Sequence, residues 1–353
     1  MADLRGGAKA TAGRFFEDFR LGEEIRHAVP RTVGEGDAAV YLALTGARFP
    51  LHCAAPVARS LGLPAAPLDD LLAINLVFGR TVADVSQTAL ANLGYAEGRF
   101  GVPLYPGDTL AARSTVIGLK ESSSRRTGTV YVRSIGENQR GEMVLDYVRW
   151  VLLPKRDAAA PAPEPVVPGL AAAVGADRVL VPPGLDAAAY DVAVAGSPAL
   201  WEDYAAGEAI DHGAGVTIEE ACHMMATRLY QNSARIHFNQ HAERHSRFGR
   251  RVVYGGHVIS LARALSANGL ANAIKLVAIH GGRHALPTFA GDTIYAWSEV
   301  LETAALPGRR DLGLLRLRTL ALKNQAPTGR AAEDAGATVL ELDYSALMPR
   351  RLS

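Results

Sequence analysis

The chain has 353 residues, 48% of them hydrophobic, enough to bury a sizeable core in what its length suggests are two domains. Lys and Arg total 37 against 36 Asp and Glu, a net charge of +1, so nothing points to nucleic acid or an anionic membrane surface as a partner. Only Cys53 and Cys222 are present, which excludes a disulfide framework or a cysteine-built zinc site. No apolar run reaches the ~20 residues of a membrane span. The first ten residues, MADLRGGAKA, contain no apolar signal core, and a cytoplasmic setting is the expectation.

In chain order, the first recognisable phrase is FEDFRLGEEIRH, from Phe16 to His27. It returns as WEDYAAGEAIDH from Trp201 to His212, with six of twelve positions identical. The offset, 201 − 16 = 185, carries His52 onto His237 and sets PLHCAA against RIHFNQ. PLYPGDTL from Pro103 and PTFAGDTI from Pro287 match at 184. LDY recurs at Leu145 and Leu342, the wider spacing being absorbed by the longer hairpin GRAAEDAGA. So long a period argues for duplication of a whole domain rather than a solenoid. Residues 1–154 are read as the N-terminal unit, 155–195 as an Ala/Pro-rich extended linker, and 196–353 as the C-terminal unit. Within the linker, ADRVLVPP could add an edge strand.

Each unit runs through the same elements. Thr32-Val-Gly-Glu35 and Thr217-Ile-Glu-Glu220 read as capping boxes before the helical runs AAVYLALTG and ACHMMATRLYQ. Beyond each histidine lies a longer apolar helix, DDLLAINLVFGRTVADV and then GGHVISLARALSANGL. Strands follow: TVYVRSI alternates with period two and MVLDYVRWVLL continues the sheet, with LGLLRLRTLAL and ATVLELDYSAL as counterparts. One long helix followed by consecutive antiparallel strands predicts an α+β fold with the sheet wrapped on the helix.

On these residues the chain resembles the MaoC-like, double hot-dog acyl-CoA hydratases and dehydratases. The resemblance rests on His52 and His237, the Pro-x-x-x-Gly-Asp-Thr runs at 103–109 and 287–293, and the duplicated Glu-Asp-aromatic starts, and it covers nearly the whole chain. It implies a double hot-dog fold, a hydro-lyase activity and an acyl-CoA substrate. The second-half run EEACHMMATRLYQNSARIHFNQH with GRRVVYGGHVISLARAL is most similar to the branch of that family acting on mesaconyl-CoA, in bacterial C-4 dicarboxyl-CoA metabolism. No cofactor beyond the substrate's own coenzyme A is expected, nor a metal, and a homo-oligomer is.

The family's motif, Gly-Asp-x-Asn-Pro-aliphatic-His, is broken in both halves. Over His237 it puts Asn232 in place of Asp, Ala234 for Asn and Arg235 for Pro; over His52 it gives Ala47 for Asp and Phe49 for Asn. The resemblance makes His237 the base that activates water, with Asn232 orienting it through its side-chain oxygen, since an amide cannot take a proton. The proton would then shuttle through His237 itself, or a carboxylate from elsewhere would stand in. Glu220 is the nearest acid by repeat logic, although its place in the capping box is a sufficient reason for it.

Amides at the start of the second long helix, at Gly255, Gly256 and His257, are candidate donors to the thioester oxygen, because free N–H groups favour developing negative charge there. The first half has Asp69-Asp70 at that point, which would repel an anion and argues for one working site, with His52 kept for packing. A mesaconyl group carries a free carboxylate; Arg235, Arg283 and His284 are candidates to hold it.

Plainer readings stand beside these. His237 could be a core or surface histidine, Asn232 a helix C-cap and Arg235 a solvated surface residue. His241, Glu243 and His245 resemble a metal cluster but lack a fourth ligand and read as a solvated helix face. Asp108 and Asp292 read as turn closers. Two further functions compete: a hydratase for other R-3-hydroxyacyl-CoA chains, and a non-catalytic acyl-CoA-binding subunit. Retention or loss of discrimination against uncharged enoyl-CoAs separates the first; binding without turnover identifies the second.

Overall fold

A computed structural model describes residues 11–351, so the segment MADLRGGAKA lies outside the described residues. The first unit supplies strands β1 (Glu24–Arg26), β2 (Arg31–Thr32), β3 (Ala91–Phe100), β4 (Thr109–Glu121), β5 (Thr127–Glu137) and β6 (Met143–Pro154). The second supplies β7 (Ala209–Asp211), β8 (Val216–Thr217), β9 (Lys275–His284), β10 (Thr293–Ala305), β11 (Leu312–Lys323) and β12 (Thr338–Pro349). All pair antiparallel in one sheet ordered β1-β4-β5-β6-β3-β9-β12-β11-β10-β7, with β2 on β4 and β8 on β10. The halves of that order mirror each other about the β3–β9 seam, where Tyr95 faces Gly282 and Arg99 faces Ala278.

The period-two sequence of β5 becomes strict alternation of buried and half-buried residues, as a sheet with one face on a core requires. That core is the two long helices. Every residue of Asp70–Thr81 is buried, and so are nine of eleven in Gly255–Leu265. Both lie in the curl of the sheet and touch each other. The duplication extends to individual bonds. His27 Nε2 and His212 Nε2 each meet a serine hydroxyl, Ser114 or Ser298, at 2.8 Å. Asp108 and Asp292 close their turns by accepting from the Tyr105 and Phe289 amides, each at 2.9 Å.

Three local expectations are corrected. Neither capping box forms: Thr32 and Thr217 lie in β2 and β8 and bond across to Thr109 and Thr293, while Asp37 accepts from the Gly34 amide and Glu220 pairs with Arg251. ADRVLVPP adds no strand; it holds a single 3₁₀ turn at Ala176–Arg178, and the one bridge from this connection is Val166 to Leu119. Residues 155–195 are also no free tether, because Val174, Val179, Leu185 and Ala187 are buried against Leu51, Leu61 and Leu314.

Candidate active site

A cavity of about 330 Å³ opens between the two units. The second unit contributes Asn232, His237, Arg247, Gly255 and His284, and the first contributes Phe78, Asn92, Tyr95 and Arg149. Both units therefore build the wall, the second supplying the larger share. No Asp or Glu lines this cavity among the described residues.

His237 lies in the helical turn Arg235–Phe238, which the chain enters after the left-handed Gln231, φ 55°, at the position where the family motif has glycine. Its Nδ1 is 2.8 Å from the Val252 carbonyl oxygen. A carbonyl only accepts, so Nδ1 carries the hydrogen and Nε2 keeps its lone pair. Burial lowers the imidazole's affinity for protons to a pKa of about 4, against the pull of the Val252 carbonyl, so at neutral pH the ring is an uncharged base. Asn232 is buried beside it, but its Oδ1 already accepts from the Ala234 amide at 2.9 Å. This turn accounts for the residue better than a C-cap role, since the left-handed residue after the helix is Gln231. Oδ1 keeps a second lone pair and the Nδ2 hydrogens have no partner among the described residues, so the amide has both an acceptor and donors to spare.

The helix Gly255–Leu265 begins at Tyr254 with no side chain on its N-terminus. His257 spends its amide on the Tyr254 carbonyl at 2.9 Å, and its ring is buried outside the cavity lining. The amides of Gly255 and Gly256 have no partner among the described residues, and Gly255 lines the cavity. Gly255 has to be glycine, because a Cβ there would run into the His284 imidazole. His284, also held neutral by burial at a pKa of about 4, meets Tyr95 Oη across the seam at 3.3 Å.

The matching place in the first unit is sealed. Asp70 occupies the position of Gly255 (255 − 70 = 185), and its carboxylate pairs with Lys275, lies 3.4 Å from His52 Nε2 and accepts from the Leu276 amide at 2.8 Å. Asp69 caps the helix by accepting from the Leu71 amide. Burial works against charge here, yet Lys275 and His52 hold Asp70 below the ordinary carboxylate range, and Asp70 in turn raises His52. His52 belongs to an ion cluster rather than to apolar packing.

The expected arginine clamps fall elsewhere. Arg235 is mostly solvent-exposed and sits 3.5 Å from Glu243; Arg283 is likewise exposed and pairs with Glu341 at 2.9 Å. Neither lines the cavity, whereas His284 does. Glu243 is buried rather than solvated, and no group of three metal-binding side chains occurs among the described residues. Polar residues that sequence reading missed include Arg149, Asn92 and Tyr95; none lies in a clean strand alternation, and only the pairing of β6, β3 and β9 brings them to the cavity.

A double sheet on two central helices, with a histidine and an uncapped helix start facing one cavity, defines a MaoC-like double hot-dog protein. The family model described as mesaconyl-CoA hydratase matches residues 4–331, and the chain belongs to that family. It is 58% identical to a β-methylmalyl-CoA dehydratase of Chloroflexus aurantiacus, over 98% of this chain and 99% of that one, and 57% identical to a mesaconyl-CoA hydratase of Cereibacter sphaeroides, over 97% and 100%. A solved MaoC domain dehydratase from Chloroflexus aurantiacus superposes with a TM-score of 0.95 at 58% identity, covering 98% of this chain and all of that one. A double hot-dog protein of Mycobacterium tuberculosis superposes at 0.74 with 26% identity, over 96% and 99%.

Proposed function

We propose that the chain reversibly hydrates mesaconyl-CoA to β-methylmalyl-CoA, as a hydro-lyase. Water adds its oxygen to the β-carbon while His237 Nε2 takes a proton, charge collects on the thioester oxygen, and the α-carbon is protonated to give the hydroxy-thioester. The observation that carries this reading is the neutral His237, tautomer fixed by Val252, in a cavity that also holds the unpartnered amide of Gly255. With no carboxylate in the wall, the proton taken from water is returned to the α-carbon by the same imidazole, which a syn addition permits. In this reading Asn232 orients the water through its side-chain amide. The free thiols of Cys53 and Cys222 suit a reducing, cytoplasmic setting.

The test is direct: incubate the purified chain with mesaconyl-CoA and follow loss of the conjugated thioester absorbance. Turnover is expected; binding without turnover would return the chain to the carrier class.

A further inference from the structure

In the sealed half, a buried cation, Lys275, has its carboxylate supplied by the chain itself. The open half has a buried cation without one. Arg149, on β6 between Val132 of β5 and Tyr95 of β3, is 0% exposed and forms part of the cavity wall. Its Nη2 donates to Thr81 Oγ1 at 2.8 Å and to Ser86 Oγ at 3.2 Å, and its guanidinium lies 4.2 Å over the Phe78 ring. Nε and Nη1 make no hydrogen bond, and no acidic side chain pairs with Arg149 among the described residues; Cδ lies between these two nitrogens, so they are separate donors, Nη1 with two free hydrogens and Nε with one. Asn92, on the same wall, likewise has both amide atoms buried without a partner. Taking an ion out of water costs several kcal/mol, and a chain that only needed packing would fill the site with hydrocarbon. The LDY anchors align at 342 − 145 = 197, which carries Arg149 onto Ala346, so this charge exists only on the side with the open cavity.

Resting on the reading of the chain as a mesaconyl-CoA hydratase, we propose that Arg149 is its substrate-specificity residue: the free Nη1 donates to the carboxylate on the β-carbon of the acyl group, with Asn92 as a further donor. The pairing does two things at once. It selects a dicarboxylic acyl chain, because a buried guanidinium without a counter-ion gains a charge-assisted hydrogen bond from a carboxylate and nothing comparable from a methyl. It also neutralises a negative charge next to the carbon that the activated water must attack. Since the free nitrogens carry no accessible surface, seating the carboxylate moves the rings of Tyr95 and Phe78 aside.

The experiment compares mesaconyl-CoA with (E)-2-methylbut-2-enoyl-CoA, in which a methyl replaces the carboxylate, in the wild type and in Arg149→Met and Arg149→Lys. In Arg149→Met, kcat/KM for mesaconyl-CoA is expected to fall roughly 30- to 3000-fold further than for the methyl analogue. Arg149→Lys, which keeps charge and stem but loses the fork, is expected to give a smaller loss of the same selectivity, read mainly as a raised KM. Arg247→Met, at the exposed rim, should change both substrates alike. Equal losses for both substrates in the Arg149 variants, or a carboxylate-selective loss in Arg247→Met instead, would overturn the assignment. Should neither Arg149 variant fold, the wild type decides: methylsuccinyl-CoA, which cannot be hydrated, should bind at least tenfold more tightly than 2-methylbutanoyl-CoA, and equal affinity refutes the carboxylate subsite. Failure of the wild type to turn over mesaconyl-CoA would instead strike the parent reading.

Discussion

At the scale of single residues, the proposed reaction turns on one imidazole and its uncharged neighbour. Replacing His237 by Ala removes the base, and turnover should fall about 10²- to 10⁴-fold. Circular dichroism should be unchanged, because the losses are local, one bond to Val252 and an edge contact with the Tyr254 ring. Since burial depresses His237 to about 4, the base stays unprotonated down to mildly acidic pH, and kcat/KM should hold from neutral pH to about 5 before declining through 4. Asn232→Asp keeps an oxygen for the Ala234 amide but puts a negative charge beside the ring, which favours the imidazolium. The acid limb of the pH profile should therefore move upward, and a limb that stays put would mean that residue 232 does not sense His237. His237 was marked by the repeat together with the family resemblance, and Asn232 by that resemblance alone. Arg149 was not, because a lone arginine in an apolar strand acquires meaning only from what the neighbouring strands leave unpaired.

At the scale of elements, the two long helices show how one fold position becomes active or inert. Both start against β9, from which Lys275 reaches the first and His284 the second. Asp70 seals one start with a carboxylate; Gly255 leaves the other open. Gly255→Ala would press a methyl into the His284 ring. The displaced ring would disturb the Tyr95 contact and the cavity wall, and a misplacement of ~1 Å can cost ~10²-fold in rate. Turnover should drop by about that factor, while the urea midpoint should show a loss of no more than ~2 kcal/mol, overpacking being partly offset by alanine's helix preference. Both helices and four of the long strands were readable from periodicity. The rest of the sheet was harder to see: β3 and β9 contain Gly94, Gly98, Gly281 and Gly282 and lack a clean alternation; a Cβ at Gly98 would meet Ile279 across the seam, and at Gly94 and Gly282 it would meet Trp150 and Leu342 of the flanking strands.

At the scale of the molecule, the duplication was the strongest signal in the sequence, since matched anchors fix the order of elements in both halves without reference to either. It could not reveal that the halves share one cavity, because no repeat encodes which faces meet. Their union rests on the β3–β9 seam, on the contact of the two long helices and, among the described residues, on one ionic cross-tie, Lys275 of the second unit to Asp70 of the first, both buried. Lys275→Met leaves Asp70 with only His52 and the Leu276 amide inside the core. Removal of one partner from a buried pair typically costs about 3–5 kcal/mol, whereas replacing both by apolar groups of similar size is nearly neutral. Lys275→Met should therefore unfold at markedly lower urea, and adding Asp70→Leu to it should recover much of that loss. None of Lys275, Asp70 and His52 lines the open cavity, so molecules of the single variant that remain folded should keep wild-type kcat. A fall in kcat without loss of stability would place the cluster in the reaction instead of in the joint between the units.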